Sequence, residues 1–402
     1  MKNNYKMTMY ACFIGYIVQA VVNSFVPLLF VTFQTEYHIP LTQITLLITV
    51  NFVIQLVVDL LSAGFVDKIG YRASAIIAHA CAGTGIFLLT ILPELFSNQF
   101  YGILLAVMVY AIGGGLIEVL ISPILEACPT DNKESAMSLL HSFYCWGCTG
   151  VVLLSTLFFS VFGTSHWKIL ALIWVLLPTA NLILFTKVPI YSLHEEGESG
   201  MSISELFRVK VFWLLMAMML CAGASEQAVS QWASTFAEKG LHIQKTVGDL
   251  VGPMMFSVLM GLSRLIYGKY GEKMDLMKFM IGSGILCVIC YLLVSVSLNP
   301  ISGLIGCIIC GFSVGIMWPG TISISSEKFP AGGTAMFALL AMAGDLGGSI
   351  GPGIVGRVTQ SAGDNIRAGM GVGLLFPVIL LIMLFIFARQ KFFCRISLHI
   401  PR

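Results

Sequence analysis

The sequence predicts an all-α integral membrane protein, with twelve transmembrane helices in two pseudo-symmetric six-helix halves. Three observations predict it. Hydrophobic residues make up 57% of the 402 and charged residues only 10%, with a mean hydropathy of +0.91, whereas an average soluble domain is roughly one-quarter charged. The apolar stretches are continuous and long enough, at about 20 residues each, to cross a bilayer as helices. Landmarks in the first half return in the second at one spacing of about 200 residues, the mark of an internal repeat. A surface this apolar must face lipid. A cytosolic enzyme, a secreted disulfide scaffold and a disordered chain are therefore excluded. The net charge of +2 supports no polyanionic partner and no nucleic acid.

Inside lipid only helices and closed barrels satisfy their own backbone, and barrel strands would alternate apolar and polar residues. Continuous runs select helices. The first six spans are expected near 8–33, 41–66, 73–93, 100–127, 135–162 and 168–188. The next six are expected near 209–237, 246–268, 277–297, 301–325, 332–358 and 367–391. The first follows the short, weakly basic Met1–Met7 without a small-residue cleavage site, so it reads as a span and not a signal peptide. The second ends in a Gly64–Arg72 loop, and the eighth ends similarly at Tyr267–Gly271. The fourth closes on Glu126 and Pro129, the tenth on Glu327 and Pro330. The fifth opens with Ala136-Met137, the eleventh with Ala335-Met336. Between the halves lies the hydrophilic stretch 189–207, read as a solvated cytoplasmic linker, leaving halves at 1–188 and 208–402.

With both termini inside, 17 of the 22 Lys and Arg residues fall on the cytoplasmic side, leaving only Lys168, Lys239, Lys245, Arg357 and Arg367 outside. The positive-inside rule orients the chain accordingly in the plasma (inner) membrane.

The loop residues Gly64, Asp67, Lys68, Gly70 and Arg72 resemble the signature between helices two and three of the major facilitator superfamily, and Arg264 with Gly268-Lys269-Tyr270-Gly271 resembles its second-half counterpart. Ser230 to Ala233, Gly248 to Pro253 and His141 to Gly147 look most like the sugar-transporting, L-fucose permease-related branch. The resemblance implies two parallel six-helix repeats with a mid-membrane site and uptake of a sugar-like solute. That branch carries an aspartate in its first helix. Here the first span offers Gln19, Asn23 and Ser24, which counts against a two-acid proton pathway.

Polar residues inside the spans mark candidate sites, because ionisable groups are costly there and must face protein or water. Gln19 and Asn23 share a helix face at i, i+4, as do Asn51, Gln55 and Asp59, then Glu118, Ser122 and Glu126, then Gln227 and Gln231 beside Glu226 and Ser230. Such amides either line a substrate cavity or tie neighbouring helices together. Glu118 sits mid-span among apolar neighbours. Burial disfavours its ionised form, which suits a group that gains and loses a proton; Glu226 and Asp345 are the alternatives. Trp146, Trp232 and Trp318 offer flat faces for a sugar ring, whereas Trp167 and Trp174 read as interface anchors or packing. Asp67, Glu126, Arg264 and Glu327, near cytoplasmic ends, read as gating or structural residues. His141 is either a buried neutral histidine or a protonatable gate.

Other signals are rejected. Gly351 to Gly356 matches G-x-G-x-x-G in letters but lies inside a span, with no strand before it. The Cys145/Cys148, Cys287/Cys290 and Cys307/Cys310 pairs lie in apolar helices and read as small hydrophobes. There is no phosphate loop. No metal, cofactor or enzymatic activity is expected, and a monomer is. Proton-coupled sugar import is the leading expectation, and efflux of apolar or cationic compounds by antiport its rival. A membrane sensor would need a longer soluble region than any loop here provides. An intramembrane enzyme would need a nucleophile, paired-aspartate or metal cluster at one depth.

Overall fold

The computed structural model describes residues 5–191, 200–241, 250–363 and 365–397. Among these, eleven helices are long and apolar enough to cross a membrane, from Tyr5–Leu29 to Ile366–Arg389. The eighth position is filled by a single π-turn at Leu250–Met254 followed by helix Met255–Tyr270, which is short for a crossing within the described residues. The twelve-helix, all-α plan stands, and among the described residues there is no β-strand.

Three expected spans are broken rather than continuous, each beside a proline. The first runs as Tyr5–Ser24, then tightens to a 3₁₀ turn at Val26–Leu29 and resumes at Phe30–Glu36. Pro27 has no N–H to continue the ladder. The tenth divides into Pro300–Val314 and Met317–Lys328. There Pro319 cannot donate to the carbonyl four residues earlier, that of Gly315. The twelfth divides into Ile366–Gly373 and Leu375–Ser397, where Pro377 stands four residues beyond Gly373. Hydropathy runs straight through all three breaks, because every residue involved is apolar or small.

The chain forms two compact units. The first comprises Met1–Asp131, Phe143–Ile203 and Phe329–Ala341; the second comprises Asn132–Ser142, Ser204–Lys328 and Met342–Arg402. Helices Lys133–Phe162 and Gly333–Ser361 each begin in one unit and continue in the other. Their opening residues, Ala136-Met137 and Ala335-Met336, are buried. The repeat landmark at the start of the fifth and eleventh spans thus coincides with the exchanged segments.

Inside the first unit, helix Gln99–Glu126 is central, and its glycine triplet packs three neighbours at once. A Cβ on Gly113 would meet the Ala78 carbonyl at 2.6 Å and also the Ala82 backbone. On Gly114 it would meet Val22 at 2.9 Å, and on Gly115 the Gln55 backbone at 3.0 Å. Only a residue without Cβ lets the backbones approach so closely. Gly113→Ala should therefore destabilise the fold by about 1–3 kcal/mol, the usual range for overpacking, whereas Gly150→Ala, with open space around it, should be neutral. Melting temperatures of the two purified variants check this; equal values would contradict it.

Candidate functional site

The expected polar residues of the first unit come together in one connected network. Gln19 Nε2 donates to Gln55 Oε1 at 3.0 Å and to Glu118 Oε2 at 3.1 Å. Gln55 Nε2 donates to Asn23 Oδ1 at 2.8 Å, and Asn51 Nδ2 to the same oxygen at 3.3 Å. Asn23 Nδ2 in turn reaches the Tyr144 hydroxyl at 3.4 Å. Each pair shares a helix face because its members are four residues apart, and the glycine triplet brings the Gln55 backbone against the fourth span. Gln19, Asn51 and Gln55 are buried, and Asn23 and Glu118 are half-buried. Two acceptors, Gln19 Oε1 and Asn51 Oδ1, are buried and unpartnered among the described residues. Buried acceptors are costly to leave unmade, so the network has capacity for donors it does not itself contain.

One member and one neighbouring contact escaped the sequence reading. Tyr144 extends the network, and the Tyr16 hydroxyl lies 2.9 Å from Ser122 Oγ. Tyr16 precedes Gln19 by one helical turn, and that spacing was available in the sequence; an aromatic in an apolar run simply carries little polar signal. A separate buried pair also went unread. His79 Nδ1 lies 2.8 Å from the Ala75 carbonyl, so it carries the proton, and Nε2 accepts from Asn181 Nδ2 at 2.8 Å. Asn181 Nδ2 also donates to the Ala11 carbonyl at 3.0 Å, joining the first, third and sixth spans.

In the second unit a different cluster forms around Arg264, which is 3% exposed. Its Nη2 lies 3.3 Å from Glu226 Oε2, its Nε donates to the Gly315 carbonyl at 2.7 Å, and its Nη1 donates to the His141 carbonyl at 3.1 Å. Gln227 Nε2 donates to the other Glu226 oxygen at 3.3 Å. The Gly315 carbonyl is the one that Pro319 leaves free, so the break in the tenth span supplies an acceptor inside the bundle for a buried guanidinium. Trp318 packs its ring on Gly344, and Gln227 lies beside Gly348, whose Cβ would stand 3.1 Å from Gln227 Cγ. Asp345 and Trp146 are half-buried, and Gln231 is exposed. The side chains of Asp67 and Trp232 lie outside the described residues.

The loop residues lie at helix ends, between the second and third spans and at the end of the fourth and tenth. Gly70 joins helices Leu41–Ile69 and Tyr71–Leu89 at φ 91°, a left-handed conformation that favours glycine. Arg72 donates to the Phe185 and Val188 carbonyls at 2.7 and 2.8 Å, capping the end of helix Trp167–Lys187, where a cation also suits the helix dipole. Gly64, Lys68 and Glu327 are exposed and Glu126 is half-buried.

An apolar bundle of membrane-length helices with two interior polar clusters, one in each compact unit, fits a multi-pass membrane transporter. Residues 12–352 match the Major Facilitator Superfamily, and the chain belongs to it. No curated protein matches the chain in sequence. Its fold is similar to that of the E. coli fucose:proton symporter FucP, with a TM-score of 0.82 and 15% identity over 96% of this chain and 99% of that one. It is also similar to the proton:xylose symporter XylE, with a TM-score of 0.80 and 12% identity over 96% of both chains. The human organic anion transporter MFSD10 (TETRAN) aligns with a TM-score of 0.73 and 13% identity over 94% of this chain and 99% of that one.

Proposed function

We propose that this transporter imports a sugar or a similar small polyhydroxylated solute together with a proton, by alternating access, as a monomer in the plasma (inner) membrane with both termini cytoplasmic. The observation that carries the reading is the amide network around Glu118. Sugar hydroxyls both donate and accept, and the network offers both. The spare Gln19 Oε1 and Asn51 Oδ1 acceptors suit hydroxyl donors, and the amide donors suit hydroxyl oxygens. Removal of one such partner strongly disfavours a ligand built to match it. The sugar:proton symporters among the structural neighbours support the same class.

On this reading Gln19, Asn23, Asn51, Gln55 and Glu118 bind the solute in the first unit, and Glu226, Gln227, Gln231, Trp232 and Trp318 do so in the second. Trp146 and Trp318 provide apolar platforms for the ring. Glu118 carries the coupling proton, with Glu226 and Asp345 as further candidates. The residues of the Gly64–Arg72 loop, together with Glu126, His141, Arg264 and Glu327, control the conformational cycle.

The test is ligand-dependent thermal stabilisation of the purified protein across hexoses, deoxyhexoses, nucleosides and cationic drugs, since a bound ligand raises apparent stability by mass action. Sugars should stabilise the protein, and Gln55→Ala should weaken the best of them by about 1–3 kcal/mol, the cost of an unsatisfied partner. Stabilisation by the cationic drugs alone would replace sugar import with efflux.

A further inference from the structure

Helix Lys133–Phe162 is one of the two helices that belong to both compact units. The start of Lys133–Phe162, over Asn132–Ser142, packs in the second unit, while its continuation from Phe143 packs in the first. Its first turns are therefore anchored apart from the rest of the helix. Those turns are held along helix Met255–Tyr270 by a row of specific contacts. Tyr267 Oη donates to Glu134 Oε2 at 2.8 Å, and Ser138 Oγ donates to the Arg264 carbonyl at 2.8 Å. The Leu139 backbone lies against Gly268, whose Cβ would stand 3.1 Å from Leu139 Cα. The last contact in the row is the bond from Arg264 Nη1 to the His141 carbonyl.

Arg264 stands where this row meets the interior. The same guanidinium that grips His141 pairs with Glu226 and bonds the Gly315 carbonyl, so its three contacts join three elements of the unit: the seventh span, the break in the tenth and the exchanged start of the fifth. A guanidinium in a dry interior is held there by its counter-charge. With the Glu226 charge present, the planar fork has a reason to remain buried and to keep its donor on His141. Without it, the cation gains by moving toward water, and the His141 contact is lost with that movement.

We propose that Arg264 is a positioning residue that ties the charge on Glu226 to the hold on Asn132–Ser142, so that cancelling this charge releases the one segment of the fifth span that belongs to the second unit. This rests on the transporter reading but on neither the sugar nor the proton. It adds a route by which an event at an interior carboxylate reaches a helix start, through a single side chain whose contacts are all in place.

The experiment is hydrogen–deuterium exchange on the full-length protein purified in detergent without any solute, read by mass spectrometry over peptides covering Asn132–Ser142 and, as an internal control, helix Tyr71–Leu89 of the first unit. Local opening appears as faster amide exchange in the affected segment alone. Glu226→Gln should speed exchange in Asn132–Ser142 by about tenfold while leaving the control helix unchanged. Glu226→Asp, which keeps the charge, should stay near the parent rate. If Glu226→Gln does not yield folded protein, Glu226→Gln/Arg264→Met, which buries no lone charge, carries the same expectation, because it too lacks the bond to His141. Parental exchange over Asn132–Ser142 in the neutral variant overturns the proposal. So does an equal rise in the control helix, which would mean general loosening. Failure of the sugar panel above leaves this result unaffected.

Discussion

Glu118→Gln is expected to abolish uphill, pH-driven uptake while preserving solute binding and solute exchange between equal pools. Glu118 is a carboxyl in the middle of the fourth span, in contact with the Gln19 amide and linked through Gln55 and Asn23 to the rest of the network. A carboxylate that loses water on occlusion crosses more cheaply when protonated. Solute binding that favours one protonation state over the other links proton movement to solute movement. The glutamine keeps the shape and an acceptor oxygen for the Gln19 donor but is permanently neutral, so the site survives and the proton cycle does not. Transport measured in proteoliposomes, with and without an imposed pH gradient, separates the two. Accumulation against a gradient in Glu118→Gln would remove this residue from the coupling step and move attention to Glu226 or Asp345. Loss of binding as well would show that the charge of Glu118, and not only its hydrogen bonding, is needed to hold the solute.

The amide and carboxyl members of this network were legible in the sequence; Tyr144 and the connections were not. A polar pair at i, i+4 in an apolar helix must point at protein, so Gln19 with Asn23 and Asn51 with Gln55 announce their faces. Periodicity fixes the face of each helix without fixing which neighbour it meets. The finding that Gln55 and Asn51 converge on one oxygen of Asn23 needed the packing set by Gly113, Gly114 and Gly115. Arg264 shows the same limit from the other side. A span drawn at 246–268 puts this residue near its cytoplasmic end, in the company of gating groups. Its contact with a mid-span carbonyl follows from the break at Gly315 and Ile316, which hydropathy does not register. The signal was nonetheless present. Pro319 lies four residues after Gly315, and a proline there leaves that carbonyl without its helical partner. A buried cation is one of the few groups able to satisfy it.

Arg264→Met should be the most damaging single substitution in the second unit, and adding Glu226→Gln should repair most of the damage to folding without restoring transport. Removing the guanidinium leaves Glu226 inside the bundle without the cation 3.3 Å away. Breaking one side of a buried pair costs about 3–5 kcal/mol, while replacing both sides with neutral groups is often close to neutral. The Gly315 and His141 carbonyls lose their donor in the single and the double variant alike. The difference between the two variants therefore isolates the stranded charge. Arg264→Met should give a low yield of monodisperse protein with a clearly depressed melting temperature, and the double variant should recover toward the parent in both. Neither should transport, since the link from Glu226 to the exchanged start of the fifth span is gone in each. Equal melting temperatures for single and double variants would show that the carbonyl contacts, not the ion pair, hold this part of the bundle. Full transport by the double variant would show that the pair serves folding alone.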